Sequence, residues 1–221
     1  MRNLRSGWSR WAVVAAILII TATLPAGAGQ KPDAAPVAAK PDPSDPNRYL
    51  NAVREFADSV LKYGRDTYGP KQTPLFVDGL NVNTHEPVKW IDPDGYKWVL
   101  SNFASQQTLM RTLDGLSTIT GDLEYKQAAM DAINYVFENL QAPNGLLYWG
   151  NAAAYDASAD RIYGDTHSFK LHYPYYELMW QVNPEATKRC IEAFWSSHIL
   201  GACPSNRCKG ERQCYNPVCR T

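Results

Sequence analysis

The sequence predicts an all-α fold in which helices pair as αα-hairpins. Apolar residues recur every three or four positions from residue 49 onwards, which is the period of an amphipathic helix. Residues that cap or end helices stand between the periodic segments. Only residues 146–149 have the pattern of a short strand or extended turn, so helices are expected to dominate.

The charge balance argues against a polyanionic partner. The 221 residues include 22 basic and 22 acidic side chains, so the formal net charge is zero. Proteins that bind nucleic acid usually carry a strong positive excess. We therefore expect no nucleic-acid partner.

Residues 1–28 have the pattern of a secretory signal peptide. Three arginines lie in the first ten residues, an apolar run follows at 11–24, and small residues occupy 25–29, with cleavage expected after Ala28. The alternative is an uncleaved anchor, but about 14 apolar residues fall short of the roughly 20 that span a bilayer. We expect a secreted or periplasmic protein with no stable membrane span after cleavage.

Residues 29–47 predict an extended linker. They contain five prolines and several alanines, and they offer almost no apolar surface to bury. A folded domain is then expected over residues 48–200.

The first helix is predicted at the start of this domain. Asp45 and Pro46 are placed as the cap and first turn, and Gly64 as the end. The apolar stripe of this helix is formed by Tyr49, Val53, Phe56, Val60 and Tyr63.

The next two helices are predicted over residues 98–120 and 123–140. Gly121 can take the left-handed conformation that ends a helix, and Asp122 can cap the following one, so the chain reverses within about two residues. The first stripe comprises Val99, Phe103, Leu109, Leu113, Leu116 and Ile119, and the second comprises Tyr125, Ala129, Ala132, Val136, Phe137 and Leu140.

The helical period is interrupted after this hairpin. Residues 146–149 predict a short strand or extended turn, and 150–166 predict a polar loop. Two further helices are predicted over 169–182 and 185–199, the second capped by Asn183 and begun by the proline after it.

Several sequence blocks, in order, resemble a known family. They are "YGPKQTPLFVDGLNVNTHEPVKW" (68–90), "LSNFASQQTLMRTLDGLSTITGD" (100–122), "NGLLYWG" (144–150) and "HSFKLHYPYYELMW" (167–180). The chain resembles, over about residues 50–200, the N-terminal part of secreted bacterial pectate or pectic acid lyase-like proteins of the helical-toroid, six-hairpin glycosidase-like superfamily. The family tends to have a histidine near 151–153, where this chain has Asn and two Ala.

The resemblance implies that these hairpins form part of an (α/α) toroid. A ring of hairpins buries each apolar stripe against its neighbours. Because the chain supplies only about five helices, we expect the ring to be incomplete, and a fragment of this kind can be inactive.

Four of the five cysteines lie at the C-terminus, at Cys203, Cys208, Cys214 and Cys219. They form either a disulfide-linked segment of an exported protein or a frameshifted tail that replaces the family's continuation. The abrupt change of composition at residues 201–221 favours the second interpretation. Cys190, on a predicted helix, is expected to be a buried core thiol.

Candidate sugar-binding residues cluster around the interrupted region. Flat aromatic rings stack on sugars, whereas carboxylates and guanidinium groups bind their hydroxyl and carboxylate groups. The alternative for each ring is core packing. We predict that Trp149→Ala weakens oligosaccharide binding and leaves the helical circular-dichroism signal unchanged. The candidates are Tyr148, Trp149, Tyr155, Asp156, Arg111, Tyr175 and Tyr176.

Pectate lyase chemistry, which the resemblance implies, is β-elimination on an acidic polysaccharide or oligosaccharide. It needs a base and a positive charge that neutralises the developing enolate. His167, Lys170 and His172 are the candidates, and His167 and Lys170 share a helix face because they are three residues apart. Calcium is an option for a pectate lyase, but the spacing of the loop acids is not that of a known calcium loop, so no metal ligands are predicted.

Two alternatives remain open. A glycoside hydrolase of the same superfamily would need two carboxylates, for which Asp156 and Glu177 are available. A carbohydrate-binding remnant would keep the aromatic platforms without catalysis. A non-enzymatic helical-repeat scaffold is disfavoured because no 34-residue self-similarity is present.

Overall fold

The fold is mixed α/β, so the prediction of an all-α toroid is wrong. The structure is a computed structural model and describes residues 42–150, 153–164, 167 and 173–199. Five α-helices and two antiparallel sheets occupy these residues. Among them, no helix is long and apolar enough to cross a membrane.

Four strands lie between the first and second helices, and two lie between the third and fourth. The first three include a hairpin, and the last two follow each other after one residue. They are α1 (Arg48–Tyr63), α2 (Gln107–Thr120), α3 (Leu123–Asn139), α4 (Tyr176–Val182) and α5 (Pro184–Phe194), which continues into a π-helical turn at Trp195–Ile199.

The strands form one small and one larger sheet. The small sheet pairs β1 (Arg65–Asp66) with β2 (Thr73–Phe76). The larger sheet has the order β3-β4-β5-β6, and every neighbouring pair is antiparallel. Its strands are β3 (Lys89–Ile91), β4 (Lys97–Ser101), β5 (Ala153–Asp156) and β6 (Arg161–Gly164).

The predicted hairpin of α2 and α3 is confirmed. Gly121 has a φ of +77°, a conformation that an L side chain rarely adopts, and it ends α2. The Asp122 side chain accepts a hydrogen bond from the Glu124 backbone N–H at 3.0 Å and caps α3. Local sequence signals therefore define this turn.

The predicted start of the fifth helix is also confirmed. The Asn183 side chain accepts from the Ala186 N–H at 3.0 Å, and Pro184 is the first residue of α5. Helix α4 begins only at Tyr176, later than predicted, because Pro174 disfavours helical geometry in the residue before it.

The first helix is confirmed, but its cap is not. The position before α1 is Asn47, and the Asp45 carboxylate accepts from the Asn47 N–H at 2.8 Å instead of capping the helix. The predicted stripe also faces solvent in part, since Tyr49 and Phe56 are exposed while Ala57 is buried.

The second predicted helix begins too early, because residues 97–101 form β4. The run Trp98-Val99-Leu100 follows an Asp94-Gly95 turn, and this combination of turn and β-prone residues favours a hairpin. The predicted polar loop over 150–166 is likewise wrong, because it contains the hairpin of β5 and β6.

Helix α3 lies at the centre of the core and packs against α1, α2, α4 and β2. Its predicted stripe is buried throughout. Cys190 of α5 is part of the same core, as predicted, and burial raises the pKa of its thiol to about 12.

The predicted signal peptide, most of the linker and the cysteines of the tail lie outside the described residues, as do Lys170 and His172. The predicted boundaries of these segments stay predictions.

Candidate functional site

The four-stranded sheet has one face on the core and one face towards a groove. Successive residues of a strand point to opposite faces. In β4, Val99 is buried in the core cluster, and Tyr155 of β5 lies in the same cluster. On the other face, Trp90 stands opposite Trp98, and Ala154 opposite Tyr163. This face is called the outer face below.

The outer face forms the floor of a groove of about 510 Å³. This volume is within the range of small-molecule sites. The Trp98 and Tyr163 rings are stacked with their centroids 4.3 Å apart, and Trp90 is 52% exposed. The lining is formed by Asp78, Trp90, Ile91, Asp92, Pro93, Trp98, Leu100, Asn102, Ser105, Gly150, Ala153, Ala154 and Tyr163.

Trp98, one of the residues that line the groove, carries a buried hydrogen-bond donor. The indole N–H of Trp98 is buried and has no hydrogen-bond partner among the described residues. An indole can only donate, and buried donors are normally paired. Because this nitrogen is buried, it is not exposed to a ligand in the groove.

Two tyrosine–carboxylate hydrogen bonds hold the tip of the β3–β4 hairpin against β5 and β6. The Tyr96 hydroxyl donates to Asp156 Oδ2 at 2.7 Å, and the Tyr163 hydroxyl donates to Asp92 Oδ2 at 3.2 Å. The hydrogen bond to Asp156 raises the pKa of Tyr96. The first hydrogen bond has its donor in the hairpin, and the second has its donor in β6. The hairpin is therefore bonded to β5 and β6 at two points beside the groove.

Asn102 connects β4 to the end of the groove. Its side-chain amide donates to the Gly150 carbonyl at 2.7 Å and accepts from the Gly150 N–H at 3.2 Å. Gly150 has a φ of +110°, which disfavours any side chain at this position. The two hydrogen bonds therefore join the end of β4 to Gly150, which lines the groove.

A smaller depression of about 230 Å³ adjoins the groove. It shares Asp78, Trp90 and Leu100 with the larger one and is mainly apolar. The remaining lining residues are Gly79, Val88 and Lys89.

Trp149, a predicted sugar contact, lies in the core. It is 6% exposed, and its ring packs against Phe103 and against His167, with centroids 5.8 and 6.0 Å apart. Tyr155 is equally buried, and its hydroxyl bonds to Asp160 and Tyr135. The burial of Trp149 and Tyr155 agrees with the alternative stated for each aromatic ring, which is packing in the core. Tyr148, beside Trp149, is partly exposed.

His167 is buried against aromatic rings. Its Nδ1 lies 2.8 Å from the Leu147 carbonyl oxygen, which can only accept, so Nδ1 carries the proton and donates. Its Nε2 is buried and without a hydrogen-bond partner among the described residues. Burial lowers the pKa of His167 to about 4, so the imidazole is neutral at neutral pH.

Arg111, Tyr175, Tyr176 and Glu177 belong to a third region, at the start of α4. Arg111 donates to the Tyr173 carbonyl at 2.7 Å and lies over the Tyr175 ring. The Tyr175 hydroxyl donates to Asp114 at 2.6 Å, which raises the pKa of Tyr175 to about 12. Burial raises the pKa of Tyr176 to about 12 as well, and Glu177 is exposed.

Asp156 lies on the outer face but is fully buried by protein donors. Besides Tyr96, it accepts from the Ser158 N–H at 2.9 Å and lies 3.8 Å from Arg161. Asp160 accepts from the Lys71 N–H at 2.8 Å. Because these oxygens are already engaged, the two carboxylates do not fit a calcium site, which needs six to eight oxygen ligands.

The groove residues Trp90, Trp98, Tyr163 and Asp92 were not among the residues predicted from the sequence to bind sugar. The signal was present in residues 89–101, where two short runs rich in aromatic and β-branched residues flank an Asp-Gly turn. Because a helix was predicted from residue 98 onwards, the alternating pattern of a strand at residues 97–101 was not recognised.

Residues 73–201 match the model of the family described as periplasmic pectate lyase. Over 159 residues, the chain is 36% identical to a pectate disaccharide-lyase of Dickeya dadantii (strain 3937). This alignment covers 69% of the chain and 29% of the relative, so the chain spans less than a third of the relative's length. The family description confirms the predicted secreted or periplasmic location.

Proposed function

Because the chain belongs to the periplasmic pectate lyase family, we propose that it binds a uronate-containing polysaccharide along the outer face and takes part in its cleavage by β-elimination. The observation that supports sugar binding is the half-exposed ring of Trp90, which lines one groove with the partly exposed ring of Tyr163. The Trp98 ring is 4% exposed and supports this surface by stacking on Tyr163. Aromatic faces pack against the apolar C–H surface of sugars.

The reaction breaks one glycosidic bond. It leaves an alkene in the uronate ring and a free hydroxyl group on the departing sugar. A base removes the proton from the carbon next to the uronate carboxylate, and positive charge stabilises the enolate that forms. The electron pair then forms the carbon–carbon double bond as the β carbon–oxygen bond breaks. The departing oxygen takes up a proton.

His167, Lys170 and His172 remain the proposed source of the base and the neutralising charge. The imidazole of His167 is neutral, as a base must be, but burial lowers its pKa to about 4, its Nε2 is buried, and it does not line the groove. Its burial against Trp149 favours a positioning role for His167. Glu177 is exposed and stays, with Asp156, one of the two carboxylates proposed for the hydrolase alternative.

The test uses the purified chain with de-esterified polygalacturonate and its oligosaccharides. Calorimetry measures binding, ultraviolet absorbance detects the conjugated alkene, and a reducing-end assay detects every type of cleavage. Binding together with the alkene is the expected result. Reducing ends without the alkene would indicate the hydrolase instead.

Binding without any product would indicate the non-catalytic carbohydrate-binding alternative. Absence of binding would overturn the proposal. Neutral galacto-oligosaccharides are the matched control ligands, because they present similar rings without carboxylates.

A further inference from the structure

The groove on the outer face has no cation in its lining with which a uronate carboxylate could pair. Its two carboxylates belong to Asp78 and Asp92, and no Lys, Arg or His of the described residues lines it. Carboxylates repel a ligand group of their own sign. A uronate ring bound in the groove therefore needs a positive charge just beyond the lining, on the same face of the sheet.

Strands β3 to β6, all of whose residues the structure describes, place one cation on that face. Lys89 is paired with Val99 of the core, and Lys97 lies two residues before Val99, so both lysines share the opposite face. Arg161 lies two residues before Tyr163 in β6 and therefore shares the outer face with it. Because Tyr163 lines the groove, the Arg161 backbone is only about 6.5 Å along the strand from the lining.

The Arg161 side chain is accessible to a ligand and is held in place by its neighbours. It is 58% exposed, its guanidinium lies 5.5 Å from the centre of the Tyr96 ring, and its Nε is 3.8 Å from Asp156 Oδ2. Asp156 is fully buried and accepts hydrogen bonds from the Tyr96 hydroxyl and the Ser158 N–H, so its position is fixed. Because Nε is the guanidinium nitrogen nearest to Asp156, the two terminal nitrogens are better placed for a ligand.

The charge of Arg161 acts on the groove. Burial and the hydrogen bond to Asp92 raise the pKa of Tyr163, and the positive charge of Arg161 opposes this rise. A carboxylate beside the Tyr163 hydroxyl would experience the same positive charge. A guanidinium also binds a carboxylate through two parallel hydrogen bonds, which a hydroxyl or an ester cannot accept in the same way.

We propose that Arg161 binds the uronate carboxylate at the outer face, with Asp156 and Tyr96 as its positioning residues. The inference rests on the proposed function and adds the residue that selects an acidic sugar. A sugar ring in the groove beside Tyr163 directs its carboxylate along β6 towards the terminal nitrogens of Arg161. The groove itself accepts the free acid and its ester alike, and Arg161 favours the acid.

The experiment uses calorimetry to measure the dissociation constants of trigalacturonate and of its methyl ester for the full chain and three variants. Arg161→Gln removes the charge and the paired donors. Arg161→Lys keeps the charge but loses the planar pair of donors. Lys97→Gln is the matched control, because it removes one positive charge from an exposed side chain on the opposite face of the same sheet.

We expect Arg161→Gln to weaken binding of trigalacturonate about three- to tenfold at low salt and to change binding of the methyl ester by less than about twofold. High salt should reduce the difference between the two ligands, since the guanidinium is exposed. Arg161→Lys should bind the acid with an intermediate affinity, and Lys97→Gln should bind both ligands like the unmodified chain.

Equal effects of Arg161→Gln and Lys97→Gln, or equal effects of Arg161→Gln on the acid and the ester, would overturn the role of Arg161 and leave the proposed function intact. If the unmodified chain binds neither ligand, the proposed function fails and this inference fails with it. Should circular dichroism show that Arg161→Gln is unfolded, Arg161→Lys decides: weaker binding of the acid alone supports the proposal, and unchanged binding of both ligands overturns it.

Discussion

The outer face of the sheet and the cluster around His167 are both rich in aromatic and titratable residues, yet their surroundings differ. Trp90 on the outer face is half exposed, whereas Trp149 beside His167 is 6% exposed. The two regions meet at Gly150, which lines the groove and follows Trp149 in the chain. Composition alone therefore does not distinguish a binding surface from a core; the direction in which each side chain points does.

The largest expected effect comes from Trp149→Ala. Removing a buried indole leaves a cavity between Phe103 and His167, and large-to-Ala changes of this kind cost about 3–5 kcal/mol. Chemical denaturation should show this loss, in contrast to the unchanged folding predicted from the sequence. Trp90→Ala should change the free energy of unfolding by less than about 1 kcal/mol. Equal losses in the two variants would remove the distinction between the regions.

The next effect is a pH dependence of the free energy of unfolding that arises from His167 in the buried cluster. The pKa of His167 is lowered from 6.5 to about 4, so between these values the unfolded chain binds more protons than the folded one. The contribution of His167 is fully present above pH 6.5 and is lost as the pH falls towards 4, on the order of 3 kcal/mol in total.

His167→Phe should flatten the stability profile between pH 4 and 6.5, measured by denaturation at several pH values. His198, whose pKa is also lowered by burial, adds a slope of the same sign and stays in both proteins. An identical slope with and without His167 would contradict a buried neutral imidazole. Trp90→Ala is the control from the outer face and should leave the slope unchanged.

A smaller effect is expected where the two regions are joined. Asn102→Ala removes both hydrogen bonds to Gly150 and leaves buried polar groups without partners, which costs about 1–3 kcal/mol. Because the same change releases the end of the groove, ligand affinity should fall together with stability. Stability loss with unchanged affinity would show that the groove does not depend on this connection.

The smallest effect is expected for Tyr163→Phe. The ring that stacks on Trp98 is kept, and only the hydroxyl that donates to Asp92 is lost. The dissociation constant for a galacturonate oligomer should change by about twofold or less, whereas Tyr163→Ala should weaken binding by several fold. Calorimetry of both variants separates the contribution of the Tyr163 ring to ligand affinity from the contribution of its hydroxyl group. A larger effect of Phe than of Ala would be inconsistent with a stacking platform.

The helical part of the fold could be predicted because its signals are local. Gly121 and Asp122 define one turn, and Asn183 with Pro184 defines another, each through contacts within a few residues. The sheet could not be predicted with the same ease, since β4 pairs with β5, more than fifty residues later in the chain. Such pairing is fixed by tertiary contacts and leaves only a short alternation in the sequence.

The candidate site shows the same limit. Most of the sugar-binding residues were predicted within residues 144–180, because this segment is rich in aromatic rings. The structure buries two of these rings, Trp149 and Tyr155. The groove residues Trp90 and Trp98 lie in runs too short for a clear period, and their common face appears only once β3 and β4 are paired. Recognition of the family, by contrast, required several short blocks in order and succeeded without the fold.

Oxidative footprinting of the tryptophans, with and without a galacturonate oligomer and read by mass spectrometry, tests most directly whether the outer face binds the sugar. We expect the ligand to reduce modification of Trp90 and to leave the equally exposed Trp180 unchanged, with Trp149 almost unmodified in both states. Unchanged modification of Trp90, or strong modification of Trp149 that the ligand suppresses, would contradict it.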